Sequence, residues 1–177
     1  MSAPAVHSVH IYDDASALIS RLCGIVSSNL RIGHAVLIVA TPEHRDELVK
    51  ELNVCGVDVR GCARDGRFTM LDARELLSTI MLNAMPSRTR FKAAVGKLLA
   101  DARKAAISEG NELLVFGEMV AVLWDEGKKE AALELERLWN DALNDRAFHL
   151  HCAYSRHGFM TGDESAICDL HSHAVIN

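Results

Sequence analysis

Residues Ala35–Ala40, Ala-Val-Leu-Ile-Val-Ala, carry no polar side chain. Successive residues of a strand point to opposite faces, so a strand that is apolar throughout has to be covered on both sides. That requirement is met by a parallel sheet packed between two layers of helices. The rest of the chain has the matching rhythm of short apolar runs alternating with longer helical patterns. Strands are predicted over Val6–Tyr12, Ala35–Ala40, Arg67–Leu71, Glu112–Phe116 and Ala147–Ala153. Between the first two lies a helix from about Ala15 to Leu30, closed by Gly33. Thr41-Pro42-Glu43 opens the next, with a cap residue, a proline suited to the first helical position and an acid suited to the dipole. Val57–Gly66 reads as a loop or a weak edge strand, and Asp72-Ala73-Arg74-Glu75 resembles a capping box. Further helices are expected near Arg88–Ser108, Val120–Trp124, Lys129–Leu143 and Glu164–Leu170. The expected fold is therefore a three-layer α/β fold, a mainly parallel sheet with helices on both faces.

The chain of 177 residues suits one domain, expected over residues 1–177, and its 49% apolar composition suits a self-sufficient core. The formal charge of −5, with no cluster of Lys or Arg, argues against direct nucleic-acid binding. No apolar segment is long enough to span a bilayer, and the first residues lack the pattern of a secretory signal. The five cysteines, Cys23, Cys55, Cys62, Cys152 and Cys168, form no C-x-x-C pair and no disulfide framework, so reduced thiols and a cytoplasmic location are expected.

In an open α/β sheet, ligands bind beyond the carboxyl ends of the strands. Those ends carry His10, Tyr12, Asp13 and Asp14 on the first strand, Thr41, Glu43 and His44 on the second and Asp72 on the third. The fourth delivers Gly117 and Glu118, and the fifth His151, Cys152 and Tyr154. Asp13, Asp14, Thr41 and Asp72 each also read as ordinary helix caps. Cys152 also suits a small core residue, and Tyr154 an anchor for the strand end. Their co-location is what points to a site. His10, His44, Glu118, Cys152 and Tyr154 are the subset expected to face a pocket.

Neither a G-x-S-x-G elbow nor an H-E-x-x-H helix is present, so no catalytic residue is assigned. Glu118 could serve as a general base, but no nucleophile lies near it in sequence. A phosphate-binding loop would sit between the first strand and its helix, where this chain has Tyr12-Asp13-Asp14-Ala15-Ser16. Two carboxylates repel a phosphate, and no Gly or Lys is there to receive one, so ATP is not expected. A neutral, cationic or metal-bound ligand fits that charge better. The nine histidines leave open a metal site built from His10, His151, Cys152 and His171, because imidazole and thiolate suit zinc, iron or copper. The alternative to a binding module is thus a metal-binding protein or an enzyme using this His/Cys/Glu cluster.

Several segments, in order, resemble the motifs of a known family. They are His7-Ser8-Val9-His10-Ile11-Tyr12-Asp13-Asp14, Val39-Ala40-Thr41-Pro42-Glu43-His44, Leu71-Asp72-Ala73, Phe116-Gly117-Glu118-Met119, Leu135-Glu136-Arg137-Leu138-Trp139-Asn140 and Cys152-Ala153-Tyr154. The family is the MEDS domain, the methanogen/methylotroph, DcmR sensory domain, and the resemblance runs from about His7 to His173. It implies a prokaryotic signal-input module for small molecules, hydrocarbon derivatives in some members, acting in transcriptional or two-component-type regulation. It also implies a degenerate relative of the RecA/KaiC ATPase fold without a P-loop, with Gly33 before the second strand as part of the match. Position by position, the family's polar residues fall on His10, Tyr12, Asp13, Asp14, Thr41, His44, Asp72, Glu118, Cys152, Tyr154 and His171. Members occur alone or joined to output domains. This chain shows no output domain, so it is expected to signal through a separate signalling or regulatory protein, with homodimer formation left open.

Overall fold

The computed structural model describes residues 6–108, 110, 112–145 and 148–176. The sheet grows outward from the apolar run: β2 (Ala35–Ala40) is buried at every position. It pairs with β3 (Phe68–Asp72) on one side and β6 (Leu113–Gly117) on the other. β7 (His149–Ser155) follows β6, then come β1 (Val6–Tyr12) and β8 (His173–Ile176). The order is β3-β2-β6-β7-β1-β8, and every pairing in this sheet is parallel; β4 (Met81–Leu82) and β5 (Met85–Pro86) form a separate antiparallel pair. All C-terminal strand ends of the parallel sheet therefore meet along one edge.

The period of two then divides the core. Val9, Ile11, Leu37, Val39, Val115, Leu150 and Cys152 face a layer made by α4 (Ala73–Ile80), α5 (Arg88–Lys104), α6 (Met119–Asp125), α7 (Lys129–Asp145) and α8 (Asp163–Cys168). Val36, Ile38, Ala40, Leu114, Phe116 and Ala153 face α1 (Ala15–Arg31), α2 (Pro42–Val54) and α3 (Val59–Arg64). The three-layer α/β architecture expected from the sequence is the one observed, with eight α-helices among the described residues.

Three segments differ from expectation. Val57–Gly66 contains neither a loop alone nor a strand but the short helix α3, started by Asp58, whose carboxylate accepts the Gly61 N–H at 2.8 Å. Helix α5 stops at Lys104, because the Ile107 and Ser108 amides turn away to the Gly33 carbonyl, at 2.9 and 3.1 Å. Gly33 adopts φ +86°, and a β-carbon there would lie 2.8 Å from the Ile107 side chain, so both the backbone angle and the space call for glycine. The apolar tail Ala174-Val175-Ile176 belongs to the edge strand β8, which was not expected. The strand boundaries shift by one or two residues, and the expected start of the fifth strand at Ala147 lies outside the described residues.

Trp139 fills the centre of the α7 layer, fully buried and edge-on to Phe91 at a ring separation of 5.1 Å. Trp139→Ala leaves a cavity that this close-packed layer cannot fill. It should destabilise the protein by about 3–5 kcal/mol, read as a lower midpoint in urea unfolding.

Candidate functional site

The strand-end residues fall into three groups. The first is the edge itself. Glu118 is only 3% exposed, yet it is fully engaged. Its Oε2 accepts the Thr41 N–H at 2.9 Å, its Oε1 is hydrogen-bonded by His44 Nδ1, and its own amide reaches the Val39 carbonyl at 2.9 Å. Thr41 makes no side-chain cap to α2, so the buried carboxylate satisfies the strand-to-helix junction in its place. The bond to Glu118 raises the His44 pKa above 6.5, against the opposing effect of burial and helped by the charges of Glu118, Glu47 and Glu43. The Tyr12 ring lies 6.4 Å from that of His44. Burial, together with the charges of Glu118 and Asp125, pushes the Tyr12 hydroxyl well above its ordinary range.

The other acids at this edge have local duties. Asp14 caps α1 through the Ser16 amide at 3.0 Å and accepts the Ser16 hydroxyl at 2.7 Å. Asp13 pairs with Arg156 at 3.1 Å. Asp72 caps α4 through the Arg74 and Glu75 amides and pairs with Arg45 at 3.0 Å. Glu43 is exposed in the first turn of α2.

The second group lies under α1. His10 is completely buried and His151 is 6% exposed, with ring centroids 6.3 Å apart. The Ser8 hydroxyl meets His151 Nδ1 at 2.8 Å. Burial first, then the charges of His10 and Arg21, bring the His151 pKa down to about 4.

The third group lies on the opposite face, under α7. Cys152 and Tyr154 point there from β7, His7 points there from β1, and His171 reaches in from the link between α8 and β8. They surround Glu136 of α7, which is 0% exposed. The Tyr154 hydroxyl donates to Glu136 Oε1 at 2.6 Å. His7 Nε2 lies 3.4 Å from both Cys152 Sγ and Glu136 Oε2. His171 Nε2 lies 3.4 Å from Glu136 Oε1, and Cys152 Sγ lies 3.9 Å from Oε2. Burial alone would raise the Glu136 pKa, but His171 and His7 beside it outweigh that effect and hold the group down at about 2. Burial and the Glu136 charge drive the Cys152 thiol and the Tyr154 hydroxyl upward.

The metal set expected from the sequence is thereby regrouped. His10 and His151 stand on one face of the sheet, Cys152 and His171 on the other, so these four cannot share an ion. Cys152 and His171 instead converge with His7 and Glu136, neither of which was singled out as a site residue. A sequence signal for Glu136 did exist. It lies four residues from both Ala132 and Asn140, a charge beside the stripe of Ala132, Leu135 and Trp139 that α7 buries.

The sequence profile of the methanogen/methylotroph, DcmR sensory domain matches residues 6–172. This chain belongs to the MEDS family. MEDS domains are sensory, so its role is signal input. No curated protein matches the chain. Among solved structures it is similar to the uncharacterized protein PH0321 from Pyrococcus horikoshii, crystallised in complex with an unknown peptide. The TM-score is 0.68 at 15% identity, covering 99% of this chain and 78% of that one, a likeness of fold. No helix of this MEDS domain is long and apolar enough to cross a membrane, among the described residues.

The His44–Glu118 bond sets a pH dependence. A histidine whose folded pKa is raised contributes stability that is complete below its unfolded value of 6.5 and lost as pH climbs through the raised value. The urea midpoint of the wild type should therefore fall on the alkaline side of pH 6.5 more steeply than that of His44→Gln, the two curves converging at high pH.

Proposed function

We propose that residues 1–177 act as one cytoplasmic sensory domain that binds a small molecule at the strand-end edge and passes the signal to a separate regulatory protein, without hydrolysing nucleotide. The observation that carries this reading is the Glu118 carboxylate, buried at the strand ends and flanked by His44 and Tyr12. It puts a carboxylate and a polar, half-buried wall at the strand ends. The carboxylates of Asp13 and Asp14 in the β1–α1 turn repel a phosphate there, and the turn offers no lysine to offset them. A neutral or cationic hydrocarbon derivative matches the site, with Glu118 and His44 as the polar contacts and the Tyr12 ring as the apolar wall. Because Glu118 also holds the Thr41 amide, a ligand that competes for this carboxylate would loosen the β2–α2 junction. That junction is the physical output of the sensor in this reading. Family membership over residues 6–172 supports the sensory role, and the net charge of −5 favours a protein over DNA as the recipient of the signal.

Calorimetric titration with MgATP should give no measurable heat. A thermal-shift panel of small alcohols, amines and halogenated hydrocarbons should contain stabilising compounds whose effect is lost in Glu118→Gln. Tight, magnesium-dependent ATP binding would refute the reading.

A further inference from the structure

The cluster under α7 lies across the sheet from His10 and His151, and the sensory reading makes no use of it. We propose that His7, Glu136, Cys152 and His171 bind one divalent transition-metal ion, zinc by ligand chemistry. The four donor atoms all lie within 4.8 Å of one another. A tetrahedral zinc ion with bonds of about 2.0–2.3 Å sets its ligands roughly 3.3–3.7 Å apart. The measured separations of 3.4 Å for His7 Nε2 to Cys152 Sγ and to Glu136 Oε2, and 3.9 Å for Cys152 Sγ to Glu136 Oε2, are close to those edges, and His171 supplies the fourth donor within the same 4.8 Å.

The protons also fit. Asn140 Nδ2 donates to the Leu170 carbonyl at 3.1 Å, which fixes the amide with its oxygen toward His7. That oxygen meets His7 Nδ1 at 2.8 Å and can only accept, so the His7 proton is on Nδ1. His171 Nδ1 lies 2.7 Å from the Ile167 carbonyl, which likewise can only accept. With Nδ1 engaged in both rings, Nε2 is the nitrogen each turns toward the Glu136 carboxylate and the one free to bind a metal. His171 Nε2 is fully buried without a hydrogen-bond partner. A cation placed between them would be coordinated by both Nε2 atoms and the carboxylate together. Histidine ligands anchored at Nδ1 by a carbonyl or amide oxygen are the usual outer arrangement of zinc sites. The Tyr154 hydroxyl occupies Glu136 Oε1, which leaves Oε2 to face the ion together with His7 and Cys152.

The charges of the site also balance. On binding, the Cys152 S–H bond breaks, its proton leaves to solvent and a sulfur–metal bond forms. One thiolate, one carboxylate and two neutral imidazoles then exactly neutralise a dication, so the fully buried site carries no net charge. The donors come from β1, α7, β7 and the segment between α8 and β8, so the ion would also hold that last segment in place.

The test is a cobalt titration of untagged full-length protein after chelation. One equivalent should bind and give a thiolate-to-cobalt charge-transfer band together with the visible bands of tetrahedral cobalt. Zinc should displace the cobalt. Cys152→Ser should abolish the charge-transfer band, and Asn140→Ala should weaken zinc binding about 10–100-fold. His10→Asn, on the other face, should change neither. Folded wild-type protein that binds no cobalt or zinc would overturn the proposal, as would a charge-transfer band that survives Cys152→Ser. If Cys152→Ser fails to fold, His171→Asn replaces it, and unchanged zinc affinity in that variant is equally fatal. None of these outcomes bears on the strand-end ligand, which is tested with Glu118→Gln.

Discussion

A carboxylate sealed from water is costly unless its surroundings supply compensating charge and hydrogen bonds, and Glu136 is such a group. It draws Tyr154 and Cys152 from β7, His7 from β1 and His171 from the segment after α8. The strands are set in register by their own ladders, and one side chain of α7 ties β1, β7 and the segment after α8 to the helical layer. Asn140, one turn further along the same helix, reinforces the arrangement by binding both His7 and the Leu170 carbonyl. The Ser172 amide completes it on the His7 carbonyl at 2.7 Å. The position of β8 at the sheet edge is thus set from both sides, by its ladder with β1 and by contacts converging on α7.

The sheet acts as a partition. Neighbouring residues His151 and Cys152 serve different environments because one points to α1 and the other to α7. On one side stand two buried histidines next to a serine hydroxyl; on the other stands a set of donors around a carboxylate. The strand-end edge, where Glu118 bridges β2, α2 and β6, is a third environment. Chemistry that is interleaved along the strands is thereby separated in space.

Much of the fold was legible because it rests on local pattern. The unbroken apolar run of β2 demanded two covering layers, and Pro42, Asp72 and Gly33 mark element ends by their own backbone chemistry. What could not be read were features that acquire meaning only through distant partners. Ala174-Val175-Ile176 is too short to declare itself a strand until it lies beside β1. Helix α3 depends on one side-chain cap from Asp58 in a segment with weak periodicity. At the candidate sites, the strand ends named the right neighbourhood for Glu118, His44 and Tyr12, since parallel strands deliver their ends together. The regrouping under α7 was harder to see. Glu136 in a helix rich in Glu reads as a solvent-facing position, and His7 precedes the strand end by several residues. The place of Glu136 beside the buried stripe of α7 was a hint, but the tertiary arrangement is what brings it together with His7.

The strand order carries a consequence for how the molecule assembles. β3, β2 and β6 are neighbours, so they can form a three-stranded sheet among themselves from residues up to Gly117. β1 cannot join them: both its partners, β7 and β8, begin at His149 or later. The first strand to be made is thus left unpaired until the far side of the sheet exists, a non-local closure of the kind that slows folding. The Thr41–Glu118 contact belongs to the portion that can mature early. The ring of side chains around Glu136 can close only in the last step, so its completion marks the moment at which the whole sheet is in register.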